Sequence, residues 1–338
     1  MFYKPLVSII IVTLNREKEL LRCLKSINQQ TYQNYEVIIL DNNSKDNTIK
    51  SINKNFSFVK IYKAKKNLGT SYPRNAGVKF SNGDLIWFLD SDVYLKDSSV
   101  LNEYVYKYFD NSIADVIGGE GVLDKNQNII GTKKLKLYKN GMIKGFIDKS
   151  DYISSTKIIA TCNLLIKKDL FIKVGGFDHF YFFYLEDIDL TYRLSNLTNK
   201  IFYVPKCKVV HYFSKSNRFR NFFLANRNRI YFLLKNHSIK KIILLPINDL
   251  FYIINFDSLK RVYLKFFTYP KKETFNTNEE RRSFKIMNIL NSFYISLIVI
   301  TSMVYSYLYI PYYILNYKKI KNKKNFLNFI NKKDFYKI

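Results

Sequence analysis

Short apolar runs, each ending abruptly in polar side chains, alternate with helix-period segments over the first hundred positions. Leu6 to Val12 is β-branched and apolar on both faces, which predicts a buried parallel strand tipped by Thr13-Leu14-Asn15-Arg16. Leu20, Leu24 and Ile27 recur at i, i+4 and i+7 and predict a helix. Tyr35 to Leu40 predicts a second strand, ending in Asp41-Asn42-Asn43-Ser44, and a helix follows over 45–54 with Ser44 as its N-cap. Phe58 to Tyr62 predicts a third strand. After the Asn67-Leu68-Gly69 turn, Ser71 to Phe80 predicts a helix carrying Arg74 and Asn75. Leu85 to Leu89 predicts the fourth strand, and Asp90-Ser91-Asp92 follows directly. This alternation implies βαβ units with right-handed crossovers, an α/β fold with a mostly parallel central sheet flanked by helices.

Beyond Asp92 the pattern loosens. A helix is expected over 100–109, strands over 114–117 and 157–166, and a partly exposed excursion over 120–150. Gly175-Gly176-Phe177-Asp178 and a run of aromatics lead into an acid-started helix from Glu186. Leu190, Leu194 and Leu197 form its expected buried stripe, with Asp187 on the same inward face. Glu186, Asp189 and Arg193 lie to the side, the last two spaced for an i,i+4 pair. A carboxylate on an inward face is costly unless it lines a cleft. Strands over 201–205 and 209–211 close the region, the last ending in His211.

Polar residues recur at the strand tips: Thr13, Asn15, Asp41, Asp90 and Asp92. In open α/β sheets ligands bind outside those ends, so the recurrence suits one crevice. Two carboxylates one residue apart suit Mg²⁺ or Mn²⁺ held against phosphate oxygens, although Asp-Ser-Asp alone reads equally as a solvated loop. Neither GxGxxG nor GxxxxGK[ST] occurs, which excludes a dinucleotide fingerprint and a P-loop. A metal would therefore replace a glycine-rich phosphate cradle. His211 alone reads equally as a metal ligand or a half-buried strand-end histidine. His179 and His237 have no partner pattern, and Trp87, inside a strand, reads as core.

Taken in order, these elements resemble family 2 glycosyltransferases of the GT-A fold, in particular the rhamnosyltransferase-like and galactofuranosyltransferase-like branch. The matching stretches are Val7 to Arg16, Asp41-Asn42-Asn43-Ser44, Asn67-Leu68-Gly69, Arg74-Asn75-Ala76-Gly77, Asp90-Ser91-Asp92, Gly175-Gly176-Phe177-Asp178, Glu186-Asp187 and His211. The resemblance covers residues 5 to about 215. It implies inverting transfer from a nucleotide-diphosphate sugar (UDP-, GDP- or dTDP-linked). Thr13, Asn15, Arg16, Asp41, Asn67, Arg74, Asp90 and Ser91 would bind the donor. Asp90 and Asp92, with His211, would hold Mn²⁺ or Mg²⁺. Asp187 would be the base, with Glu186 orienting the acceptor. The segment after Asn67 reads Gly-Thr-Ser-Tyr-Pro-Arg-Asn, closer to general members than to the rhamnosyl branch, and leaves the donor sugar open. A polyprenyl-phosphate sugar synthase, a nucleotidyltransferase and a non-catalytic binder of anionic surfaces are the alternatives.

Charge adds a second region. The net charge is +28, and residues 201–338 carry 26 Lys and Arg against 6 Asp and Glu. Residues 1–215 therefore read as the catalytic domain, and 216–338 as a basic, aromatic-rich helical region. Residues 217–236 interleave aromatics with arginines, a pattern that suits stacking on bases or, at helical spacing, a basic amphipathic helix on anionic lipid. Segment 242–256 is apolar, and segment 286–317 holds 32 residues without a charge, about 48 Å as helix against a hydrocarbon core of about 30 Å. Basic clusters flank the longer segment on both sides. A monotopic or re-entrant attachment keeps both on the cytoplasmic face of the membrane, whereas one simple span would not; insertion of both segments, as one or more spans, is the alternative. The expected partners are a lipid-linked or cell-surface glycan acceptor and an anionic membrane surface, with no nucleic acid. Cys23, Cys162 and Cys207 form no CxxC pair and no secretory signal is visible, which suits reduced thiols.

Overall fold

A computed structural model describes residues 4–124, 126–211, 219–237, 301, 303–316 and 326–338. The chain divides into two compact units: Met1–Lys136 with Gly145–Lys215 and Lys323–Ile338, and Leu137–Lys144 with Ser216–Asn322.

The first unit is built on a nine-stranded sheet. Strands β1 (Val7–Thr13), β2 (Tyr35–Asp41), β3 (Val59–Ala64) and β4 (Leu85–Asp90) lie in the order β4-β1-β2-β3 and run parallel. Helices α1 (Glu17–Asn28), α2 (Thr48–Asn55) and α3 (Ser71–Phe80) connect them. Every apolar side chain of β1 from Val7 to Ile11 is buried, as expected of a strand covered on both faces. Trp87 is fully buried, and its indole donates to Asn163 Oδ1 at 2.8 Å.

Outside this block the sheet is mixed, not mostly parallel. A strand at Asn163–Lys167 runs antiparallel to β4 and to the strand Val116–Gly118, and the latter pairs in parallel with Ile201–Tyr203. On the other edge, Phe335–Lys337 pairs antiparallel with β3. Residues 326–338 thus belong to the first unit and not to a C-terminal helical region. Apolar Phe335 packs in the sheet's core, with Ile330 beside it.

Several local boundaries differ from the sequence reading. Ser44 does not cap a helix: its N–H and hydroxyl bind the Asp41 carboxylate, and α2 begins only at Thr48. The segment over 157–166 becomes strand only from Asn163. Leu197 is 44% exposed, leaving the buried stripe of the acid-started helix, Glu186–Leu194, to Leu190 and Leu194. Residues 120–150 contribute strands Glu120–Leu123, Ile129–Leu137 and Ile143–Asp148 to a second, five-stranded sheet, together with Val93–Leu95 and Val209–His211.

In the second unit, Phe219–Asn236 is a helix, as its alternation of aromatic and basic residues predicts. Ile310–Leu315 is a further short helix. Segment 242–256 lies outside the described residues, as does 286–300. No helix among the described residues is long and apolar enough to cross a membrane.

Candidate active site

The register of the two sheets assembles the site. Val12 pairs with Asp90, and Thr13 with Asp41, so the polar ends of β1, β2 and β4 share one edge. Val93, one residue after Asp92, opposes His211 in the second sheet. Asp90, Asp92 and His211 converge there, each offering a ligand atom within 4.8 Å of the other two. His211 Nε2 lies 2.9 Å from Asp92 Oδ1, and Arg16 Nη1 lies 3.9 Å from Asp92 Oδ2. Burial alone would raise the Asp92 pKa, but the His211 hydrogen bond and the charges of His211 and Arg16 hold it below the ordinary value. Burial would conversely discharge His211, and the Asp92 and Asp90 carboxylates keep its pKa raised. Two carboxylate donors and one imidazole suit Mn²⁺, which accepts both oxygen and nitrogen, and the residues present fit such an ion.

Arg74 ties this triad to the acidic helix. Its side chain is buried, with Nη1 2.9 Å from Glu186 Oε1 and Nη2 2.9 Å from Asp90 Oδ1, and its guanidinium lies over the Phe177 ring. The resemblance implies a place for Arg74 near the nucleoside or diphosphate; on α3, one turn inside the helix, its side chain lies between two carboxylates, Asp90 and Glu186. Glu186, expected to the side of its helix, is 5% exposed and held by Arg74 and by the Thr70 hydroxyl at 2.8 Å. Its Oε2 is buried with no hydrogen-bond partner among the described residues.

The local backbone explains that placement. Tyr184 and Leu185 both adopt positive φ, 73° and 65°, immediately before the helix begins. Consecutive left-handed non-glycine residues are unusual and strained. They reverse the chain so that Glu186 faces α3 while Asp187 remains partly exposed. Burial, then the neighbouring Glu186 charge, pushes the Asp187 carboxyl up to about 7, with Arg74 partly offsetting the rise. Asp187 is therefore poised to exchange a proton near neutral pH. Asp189 is fully buried on Arg193 at 2.8 Å, as its i,i+4 spacing predicts.

The remaining expected donor residues lie at or just beyond the C-terminal ends of β1 to β4, along the rim of the sheet. Asn15 has φ 52°; its N–H donates to Ser44 Oγ and its Oδ1 accepts from Lys45 N. Asp41 is buried beneath Ser44, and burial raises its pKa. Thr13 Oγ1 is buried with no hydrogen-bond partner among the described residues. Ser91 is buried between the two site carboxylates in sequence. Asn67 is exposed and closes a turn by accepting from Gly69 N. Gly69 itself has φ 77°, and a Cβ there would sit 2.3 Å from Phe182 O. Thr70 N donates to that same carbonyl, which ties the rim to the aromatic segment before Glu186.

Sequence reasoning missed two neighbours. Glu120 and Cys162 lie beside His211 and form a second three-residue cluster with it. Their isolation in sequence gave no signal, since only the pairing of strands from both sheets brings them together.

The profile of glycosyl transferase family 2 matches residues 8–175. Through this stretch the chain belongs to glycosyl transferase family 2. Its relatives include poly(ribitol-phosphate) beta-N-acetylglucosaminyltransferase TarP of Staphylococcus aureus (strain N315), 34% identical over 173 residues, covering 49% of this chain and 50% of that protein. Rhamnosyltransferase WbbL of Escherichia coli (strain K12) is 28% identical over 233 residues, covering 63% of this chain and 86% of that protein. The chain thus spans half the length of TarP. Among solved structures, mannosyltransferase PcManGT from Pyrobaculum calidifontis, in complex with GDP-Man and Mn²⁺, superposes with a TM-score of 0.57 over 92% of this chain and 88% of that one. At 12% identity this is likeness of fold, and the mixed sheet flanked by helices is GT-A-like.

Proposed function

We propose that this family 2 glycosyltransferase is an inverting, metal-dependent enzyme that moves a sugar from a nucleoside diphosphate to a hydroxyl acceptor. One observation supports the reading: the Asp90–Asp92–His211 cluster and the Glu186–Asp187 pair, in which the Asp187 carboxyl is pushed up to about 7, are joined through one buried arginine, Arg74. Asp90, Asp92 and His211 would hold Mn²⁺ or Mg²⁺. The ion would supply neutralisation of the charge that develops on the departing diphosphate. Thr13, Asn15, Arg16 and Asp41 line the adjoining crevice for the nucleoside end. Asp187 removes the acceptor proton, and a single in-line displacement inverts the anomeric carbon. Glu186 supports Asp187 by raising its basicity.

The acceptor we propose is a lipid-linked or cell-surface glycan, with the protein attached at the cytoplasmic face of the membrane. The net charge of +20 over 201–338 supports this reading. So does the stretch around Ile310–Leu315, where Leu308, Tyr312 and Leu315 are 71%, 57% and 86% exposed. Amphipathic basic segments bind anionic lipid without spanning it.

Product analysis tests the chemistry. Release of a nucleoside diphosphate, with an inverted anomeric centre in the product, is expected. Pyrophosphate release would assign a nucleotidyltransferase instead. Full activity on a polyprenyl phosphate in Asp187→Asn would assign a polyprenyl-phosphate sugar synthase, whose acceptor needs no base.

A further inference from the structure

We propose that Glu120, Cys162 and His211 form a second, inner metal site that takes a thiophilic cation such as Zn²⁺ and competes with the outer Asp90–Asp92–His211 site for their shared histidine. One ligand atom from each of the three lies within 4.8 Å of the other two. The topology places them by strand pairing. Gly121 pairs in parallel with Val210, so Glu120 and His211, one residue to either side of that pair, share the opposite face of the sheet on a diagonal. Cys162 O accepts from Asp90 N at 3.3 Å, which brings the Cys162 backbone against the strand that carries the outer site.

The thiol itself points to a ligand. Cys162 is 6% exposed, and its sulfur makes no hydrogen bond among the described residues. The other two thiols are engaged: Cys23 donates to Asp90 O, and Cys207 meets the Tyr104 hydroxyl, Asn163 Nδ2 and Gly119 O. Glu120 gives one oxygen to Lys133 at 2.8 Å, which leaves the other for a cation.

The donor sets select different ions. Two carboxylates and an imidazole suit Mn²⁺ or Mg²⁺, whereas one thiolate, one imidazole and one carboxylate suit tetrahedral Zn²⁺ with a fourth position open. Binding displaces the thiol proton to solvent. Thiolate and carboxylate together then balance the dipositive ion in a buried place, which an unpaired cation could not occupy. Because His211 belongs to both sets, filling the inner site strips a ligand from the outer one. That competition, though not the inner site itself, rests on the function proposed above.

Cobalt titration of the full chain tests the site without turnover. Co²⁺ should give the near-ultraviolet thiolate-to-cobalt band in the wild type. Cys162→Ala should lose it and Cys207→Ala should keep it, with circular dichroism confirming that both variants fold. Cys162→Ser serves as the second variant should alanine fail to fold. Zn²⁺ should inhibit Mn²⁺-supported transfer in the wild type, and Cys162→Ala should keep Mn²⁺-supported transfer while needing at least about tenfold more Zn²⁺ for the same inhibition. No thiolate band in the wild type, or a band that survives in Cys162→Ala and Cys162→Ser, would overturn the site. If the band follows Cys162 but no sugar nucleotide is turned over, the site stands and the proposed function fails.

Discussion

Arg74 and Glu186, 112 positions apart in sequence, are joined by a buried bond of 2.9 Å from guanidinium to carboxylate. The other arm of Arg74 reaches Asp90 at the same distance. One side chain therefore fixes the spacing between the proposed metal triad and the proposed base.

Removing Arg74 strands two acids. Breaking a buried ion pair at one partner costs about 3–5 kcal/mol, because the remaining charge stays buried. Arg74→Gln should lower the unfolding free energy by about that amount in chemical denaturation. Arg74 also lowers the Asp187 pKa, so the variant's basic form should appear at higher pH. A pH profile of kcat/KM unchanged from the wild type would separate Arg74 from the base.

Asp187 gives a pH dependence in two senses. Its carboxyl sits near 7 in the folded chain, well above the ordinary carboxylate range. Transfer needing the deprotonated form should therefore rise with pH through about 7. Stability should move the opposite way. Between the ordinary carboxylate value and 7 the folded chain holds a proton that the unfolded chain has lost, so stability falls as pH rises across that window. Asp187→Asn should remove the rising limb, lower kcat by about 10²–10⁴-fold, and melt higher than the wild type at pH 8. Equal melting temperatures at pH 8 would argue that Asp187 has an ordinary pKa.

Gly69→Ala should damage activity more than binding of the free nucleotide. The position needs φ 77°, and its Cβ would press on Phe182 O, the carbonyl that anchors the segment leading to Glu186. A left-handed alanine costs of order 1–3 kcal/mol before any clash. The expected result is a reduced kcat with near-normal nucleoside diphosphate affinity, measured by steady-state kinetics and calorimetry.

The tail 326–338 is a structural clasp on the catalytic unit. Phe326 is fully buried beneath the Arg193 guanidinium, its N–H bonds Gly175 O, and Tyr72 bonds both Asp334 and Asn331. Phe326→Ala should cost about 3–5 kcal/mol, read as a lower denaturation midpoint. A midpoint unchanged from the wild type would mean that the tail is not docked.

The parallel block was legible because both of its periods are local. Two-sided apolar runs and i, i+4 spacing survive any packing, so β1, β2, β4 and α1 appear close to their expected places. The convergence of Asp90 and Asp92 at one strand end was legible as well, since the two lie within three residues, whereas His211 joins them only through the pairing of Val93 with it in the second sheet. The orientation of Glu186 was not, because two left-handed residues at Tyr184 and Leu185 set it and neither is a glycine. The docking of Phe335 on β3 was hidden for another reason: its partner is more than 250 positions away.

Donor turnover with and without metal tests the central claim most directly. UDP-, GDP- and dTDP-sugars, each incubated with Mn²⁺, should show nucleoside diphosphate release from one base class, halted by EDTA and restored by excess Mn²⁺. Asp92→Ala should not recover on adding Mn²⁺. Turnover that persists unchanged in EDTA, or release of pyrophosphate in place of a nucleoside diphosphate, would contradict a metal-dependent glycosyl transfer centred on Asp90, Asp92 and His211.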